Sequence, residues 1–376
     1  MNRSACKAIV AALVVALIGG TACIAAEEIK TLDIGAKAPG FALPGVDGKV
    51  HKLAEYDKAK VLAIVFTCNH CPTAQAYEER IKALAADYKD KGVVLVAISP
   101  NDPLAVRLDE LGYTDVSDSL ADMKIRAKDK GFNFPYLYDG DKQEVSKTYG
   151  PMTTPHVFIF DGERKLRYVG RVDDNEKQQA GKVTSPDARN AIEALLAGRP
   201  VPVERTKTFG CSIKWSDKRG SVAQSFEKWA QESVNLQTID LEGVKKVLKN
   251  DSNDLCLVNI WSTRCGPCVA EFPELVEINR MYRGREFRMV SINVEGGEAK
   301  DRALSFLRKN QASFTDYVYD GDVYAFIDTV DPKWPGAIPY TLLIKPHGEV
   351  VNRYMGQIES LAVKKAVVEC LGRVYK

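Results

Sequence analysis

Two uninterrupted apolar, β-branched runs split the chain into halves that read alike. Val61 to Phe66 leads into Cys68, and Leu255 to Trp261 leads toward Cys265. Runs of this length with no polar alternation predict central strands buried on both faces. After Cys71, the apolar positions Tyr77, Ile81, Leu84 and Tyr88 recur at helical spacing, and after Cys268 so do Phe272, Leu275 and Tyr282. A second buried strand follows in each half, over Val93–Ile98 and Phe287–Val294. A proline then stands directly before another strand, Pro155 before His156–Phe160 and Pro339 before Tyr340–Ile344. Each half closes with a glycine-marked turn, a last strand (Leu166–Val169; Val350–Tyr354) and a helix (Asp187–Leu196; Leu361–Leu371). The pattern predicts an α/β fold of two tandem units, each a central mixed β-sheet flanked by helices, with parallel strands joined through a helix.

The 376 residues are more than one ordinary domain needs, which agrees with two units. The expected boundaries are 35–200 for the first unit, 201–234 for a weakly patterned tail and linker, and 235–376 for the second. Ser225 to Gln231 could form one short helix in that linker, with Phe226, Trp229 and Ala230 on one side. Residues 1–26 read as an export signal: Arg3 and Lys7, a short apolar run from Ala8 to Ile18, and small residues at Ala25-Ala26. Thr21-Ala22-Cys23 partly matches a lipoprotein processing site, with Cys23 as the acylated residue. Either route puts the mature chain outside the cytoplasm, in the periplasm or an equivalent space where disulfides persist. No later stretch is long enough to span a membrane. A formal net charge of +2, with basic and acidic residues interspersed, gives no basic stripe and excludes nucleic acid as a partner.

The cysteines change the picture most. Of 9, Cys6 and Cys23 belong to the export segment, and four form Cys68/Cys71 and Cys265/Cys268. Two Cys-X-X-Cys pairs in a long chain point to redox chemistry rather than to a stapled scaffold. Cys256 and Cys370 read as core. Cys211 reads as a small buried hydrophobe, with a resolving or relay thiol as the alternative. At a strand-to-helix junction, Cys265 lies near unpaired backbone N–H groups that favour a thiolate, with Arg264 adding a cation beside it. Cys265 is then the attacking thiol, and the more buried Cys268 resolves. Pro267 suits the first helical turn.

Trp261-Ser262-Thr263-Arg264-Cys265-Gly266-Pro267-Cys268, with Glu271-Phe272-Pro273 and Ile338-Pro339, resembles thioredoxin-fold reductases of the TlpA/ResA type over about residues 235–376. The resemblance implies a cis Ile338–Pro339 loop facing the disulfide, whose backbone pairs with an extended substrate strand. It also implies that Glu271 is an acidic residue near the dithiol, and that a reductase role goes with electrons from a membrane thiol donor. Asn259 stands where thioredoxin has a buried Asp, and Arg264 replaces the Trp usual before the first cysteine.

The first half resembles the peroxiredoxin-like AhpC/TSA branch of the same fold over about residues 35–215. The resemblance rests on Gly35–Phe41, Ser99–Pro103, Phe134–Leu137, Thr154-Pro155-His156 and Gly170–Asp174 taken in order. It implies that Thr154 and Pro155 bind substrate. Counted to Cys68, the peroxidase motif Pro-X-X-X-Thr-X-X-Cys is absent, since Val61 and Val65 hold its Pro and Thr positions. A dithiol role for Cys68 and Cys71 is therefore favoured. His70 resembles the histidine of DsbA-type oxidants, where an imidazolium would stabilise a Cys68 thiolate and make this pair oxidising. The expected activity is thiol–disulfide exchange with client protein thiols or disulfides, without metal or organic cofactor. A thiol peroxidase in the first half and a metal-binding or metal-delivery module are the alternatives.

Overall fold

The computed structural model describes residues 29–176 and 182–375. The expected export signal, with Cys6 and Cys23, lies outside the described residues. In chain order the first half comprises β1 (Ala42–Pro44), β2 (Val50–Lys52), β3 (Val61–Phe66), α1 (Pro72–Tyr88), β4 (Val93–Ser99), α2 (Leu120–Lys130), β5 (Tyr136–Tyr138), α3 (Glu144–Tyr149), β6 (Thr153–Thr154), β7 (His156–Phe160), β8 (Leu166–Gly170), α4 (Asp187–Leu196), β9 (Cys211–Ser212) and α5 (Arg219–Ala230). The second comprises β10 (Leu236–Ile239), α6 (Leu241–Lys249), β11 (Leu255–Trp261), α7 (Gly266–Tyr282), β12 (Phe287–Asn293), α8 (Lys300–Lys309), β13 (Thr315–Tyr319), α9 (Val323–Val330), β14 (Tyr340–Ile344), β15 (Val350–Met355) and α10 (Ser360–Leu371).

The principal sheets have the orders β5-β4-β3-β7-β8 and β10-β13-β12-β11-β14-β15. In each, the strand before the cysteine pair is central, parallel to one neighbour and antiparallel to the other. The mixed α/β fold inferred from periodicity therefore holds, with the same five-strand arrangement in both halves and one added edge strand, β10, in the second. The apolar runs are continuous because both faces are covered. Along β3, Val61, Ala63 and Val65 enter one core while Leu62, Ile64 and Phe66 enter another. Along β11, Leu255 and Leu257 face one core, and Cys256, Val258 and Ile260 the other.

Within the tail and linker expected over 201–234, residues 205–214 pair with the first half. Arg205 bridges to Val169, β9 pairs with β6, and Ile213 is buried. Lys214 is held at both backbone groups: its N–H donates to Asn101 Oδ1 at 2.9 Å, and its carbonyl accepts from Asp102 N–H at 2.9 Å. A run of Pro, Lys and Thr shows no hydrophobic period, so backbone pairing of this kind leaves no sequence signature.

The halves are packed against each other. Val106 and Leu111, in the segment between β4 and α2, join the core beside α7. Tyr282 Oη donates to the Thr114 carbonyl at 2.7 Å and Arg285 to the Gly112 carbonyl at 2.8 Å. Arg373, beyond α10, pairs with Asp115 at 2.5 Å. A Cβ on Gly112 would meet the Met281 carbonyl oxygen at 2.9 Å, so this approach suits glycine. No helix among the described residues is long and apolar enough to cross a membrane.

Candidate redox sites

In the second half Cys265 is the N-cap of α7, and its sulfur accepts from the Cys268 N–H at 3.3 Å. Pro267 sits in the first turn, where its missing N–H leaves no bond unmade. Cys265 and Cys268 are joined in a disulfide with Cα atoms 5.3 Å apart. Cys265 is half-buried and Cys268 fully buried. The Ile338–Pro339 bond is cis, and the Ile338 carbonyl oxygen lies 3.6 Å from Cys265 Sγ. Arg264 does not serve the sulfur as expected: its side chain is exposed and lies 3.5 Å from Glu295, which also binds Arg302 at 2.7 Å.

Glu271 is buried one turn beyond Cys268. Its oxygens accept from Asn259 Nδ2 at 2.9 Å and from the Ile358 N–H at 2.8 Å. Asn259 also donates to Thr341 Oγ1 at 2.9 Å, so the side chain on β11 steers the acid on α7. Burial pushes the Glu271 carboxyl up to about 6, although those two donors pull the other way.

The first half differs in register. Pro72 is the first residue of α1, which makes Cys71, not Cys68, the N-cap; Cys71 Sγ accepts from the Ala74 N–H at 3.4 Å. The thiolate expected at Cys68 therefore belongs at Cys71. Burial works against that thiolate, but hydrogen bonds from Cys211 and Cys68, the His70 cation and the Ala74 N–H hold Cys71 well below the usual thiol range. Burial, the bond to Cys71 and the negative charge of Asp118 push Cys68 well up. Cys68 Sγ lies 3.1 Å from Thr154 Oγ1. The dipeptide Cys71-Pro72 carried the signal for this register. Counted to Cys71, the peroxidase motif is absent as well, because Cys68 stands at its Thr position and Ile64 at its Pro position.

His70 is buried, and its Nδ1 lies 2.5 Å from Asp118 Oδ2. Burial opposes the imidazolium, but the charge and hydrogen bond of Asp118 outweigh it and raise His70 above its ordinary value. Asp118 also accepts from the backbone N–H groups of Asn69 (2.8 Å) and His70 (3.1 Å) and from Asn101 Nδ2 (2.8 Å). Sequence reading missed Asp118, which sits in a polar loop without periodicity. Cys68, His70 and Asp118 bring possible metal-ligand atoms within 4.8 Å of one another. They offer three ligands where a closed zinc site uses four, and both Asp118 oxygens are already engaged by donors.

The Thr154–Pro155 bond is cis, like its counterpart. The backbone beside it, expected to receive a substrate strand, is already paired: Thr154 is in register with Cys211 and Thr153 with Ser212, antiparallel. Any client strand at Thr154 and Pro155 would first have to displace the chain's own β9. By contrast, Ile338 has no such strand across it among the described residues, while the Pro339 carbonyl accepts from the Gly356 N–H at 3.0 Å.

Residues 34–169 match the AhpC/TSA family. Among curated relatives, thiol-disulfide oxidoreductase ResA of Bacillus subtilis (strain 168) is 29% identical over 143 residues, 38% of this chain and 70% of that protein. ResA of Halalkalibacterium halodurans is 24% identical over 142 residues, 38% of this chain and 77% of its own. Among solved structures, a hypothetical protein of Sinorhizobium meliloti 1021 is 34% identical, with a TM-score of 0.45 and coverage of 50% of this chain and 97% of that one.

Strand order, helix-capping cysteines and cis-proline loops together define a thioredoxin-fold enzyme of the thiol–disulfide oxidoreductase class. Within that class, the first half holds a thioredoxin-fold domain of AhpC/TSA type.

Proposed function

We propose that the protein exchanges disulfides with exported protein clients, and that the second pair acts as a reductase supplied with electrons by a membrane thiol carrier. One observation carries this reading: Cys265 is half-buried at a helix N-cap beside a cis-proline loop, while its partner Cys268 is fully buried. In the reduced state the Cys265 thiolate attacks a client disulfide, forming a mixed disulfide and releasing one client thiolate. Cys268, deprotonated by Glu271, then attacks Cys265 Sγ, expels the second client thiolate and closes the Cys265–Cys268 bond. Ile338 and Pro339 supply the edge that orients the client strand. The export reading rests on Arg3, Lys7 and the apolar run behind them, and on the relatedness to ResA.

The test is reduction of insulin or a model disulfide by the full chain with a dithiol donor. Activity lost in Cys265→Ser and retained in Cys68→Ser supports the assignment. The reverse pattern would overturn it. A peroxidase reading for the first half is less well supported, because the Cys71 sulfur is buried and the motif is missing from either cysteine's frame.

A further inference from the structure

We infer that Cys211 is the third redox cysteine of the first domain, held as a built-in substrate strand, and that clients exchange with the buried Cys68/Cys71 pair through it. This inference rests on reading Cys68 and Cys71 as a redox pair.

Three observations converge. The first is positional: β9 occupies the edge of the cis-proline loop where a client strand would add, and it presents a cysteine there, Cys211 opposite Thr154. The second is contact. The Cys211 N–H donates to Cys71 Sγ at 3.3 Å, and the Cys211 side chain packs against the buried cluster of Cys68, Cys71 and Ala74. Three cysteines, Cys68, Cys71 and Cys211, thus meet in one small cluster. The third is access. Cys68 and Cys71 are 3% and 0% exposed, whereas Cys211 is only half-buried, so a client reaches Cys211 first.

The local backbone is built for this approach. Gly210 has φ +134°, and a Cβ there would lie 2.1 Å from the Thr154 carbonyl oxygen. Only glycine lets the strand come in so closely. Downstream, the Lys214 and Ser216 N–H groups, bound to Asn101 and Gln143, fix the strand. Tyr375, itself exposed, packs edge-on against Tyr113 with ring centroids 5.0 Å apart.

The steps balance as follows. Starting from a Cys68–Cys71 disulfide, the Cys211 thiolate attacks Cys71 Sγ. The Cys71–Cys211 bond forms, the Cys68–Cys71 bond breaks, and Cys68 leaves as a thiolate and takes up the proton Cys211 gave up. No net oxidation occurs. A client thiolate then attacks Cys211 Sγ, and Cys71 leaves as the stabilised thiolate. A second client thiolate attacks the client sulfur of the mixed disulfide and expels Cys211, so the client is oxidised by two electrons and the dithiol is left reduced. Exchange with another protein disulfide restores Cys68–Cys71. The same steps in reverse reduce a client disulfide.

The test uses the full chain with Cys265→Ser and Cys268→Ser, so that only the first site reports. This parent and its Cys68→Ser derivative are equilibrated in oxidised and reduced glutathione, quenched in acid, alkylated and mapped without reduction. The parent is expected to give a Cys68–Cys71 peptide, and the derivative a Cys71–Cys211 peptide as its main product. In the reduced parent, a maleimide should label Cys211 about tenfold or more faster than Cys68 or Cys71. Cys211→Ser should slow exchange with a protein client by a similar factor while leaving the Cys68–Cys71 disulfide able to form. If the derivative yields glutathione adducts and no Cys71–Cys211 link while the parent still forms Cys68–Cys71, the relay is wrong and the dithiol stands. If Cys68 labels first, or Cys211→Ser exchanges at the parent's rate, clients bypass Cys211. A parent that forms no Cys68–Cys71 disulfide removes the dithiol reading itself.

Discussion

Asp118 holds His70 by an Oδ2–Nδ1 contact of 2.5 Å, deep inside the first domain and one residue from Cys71. The imidazolium kept in place by this carboxylate is one of the groups that lower the Cys71 thiol. Stabilising the thiolate stabilises the reduced pair, so the disulfide becomes more oxidising. Glutathione equilibration is expected to place Cys68/Cys71 above Cys265/Cys268 in potential. Asp118→Asn should lower the first value by about 30 mV or more, the equivalent of ~1.4 kcal/mol for a two-electron couple. The second pair serves as an internal control, and an unchanged first potential would show that the ion pair only supports the loop.

Glu271 gives a pH prediction of definite sign. Its carboxyl rises from an ordinary 4.5 to about 6 on folding. A raised pKa contributes stability that is full below the unfolded value and is lost as pH climbs through the folded one. Oxidised protein should therefore lose stability between about pH 4.5 and 6, by at most ~2 kcal/mol from this group before solvent screening. Urea unfolding at pH 4 and pH 7 measures the loss, which Glu271→Gln should remove. Stopped-flow with a model disulfide should show resolution by Cys268 accelerating through pH 6 in the parent. In the variant that rise should be absent, with the first attack by Cys265 nearly unchanged.

Cys268→Ser should leave Cys265 able to attack and unable to be released. Mixed disulfides between Cys265 and clients should then accumulate on non-reducing gels and vanish with dithiothreitol. Equal trapping by Cys265→Ser with Cys268 intact would reverse the two roles.

Gly210→Ala places a methyl against the Thr154 carbonyl in a left-handed backbone region. The expected cost is about 2 kcal/mol or more, read as a lower urea midpoint for the first domain. Dislodging Cys211 should also weaken the Cys71 thiolate, seen as a higher pH midpoint for its thiolate absorbance.

The central strands were legible because burial on both faces writes itself as unbroken apolar runs: Val61–Phe66 and Leu255–Trp261 are both strands at those bounds. The edge strand Leu236–Ile239 and its neighbour Thr315–Tyr319 were not, since polar and exposed positions interrupt both and their patterns merge with loops. Pro339 marked its cis loop, and Pro155 marked the start of the strand after the other one. Cys71-Pro72 marked the helix start, but the Cys-X-X-Cys spacing drew attention to Cys68 instead. Asp118 and β9 act through contacts with residues far away in the chain, His70 and Thr154, and no local periodicity announces such partners. Asn259 and Glu271, by contrast, were legible as a displaced acid, and they touch.

The clamp between the halves bears on how the molecule is wired. Met281, Tyr282 and Arg285, which grip the first domain, lie at the far end of α7 from Cys265. The 17 residues of α7 amount to about 25 Å of helix. Cys211 stands in the first half, across from Thr154 and against Cys71. Sulfurs must come within bonding distance to trade electrons, and a helix cannot shorten to bring them there. On the proposed function the two dithiols are terminals in parallel rather than links in series, each serving its own client.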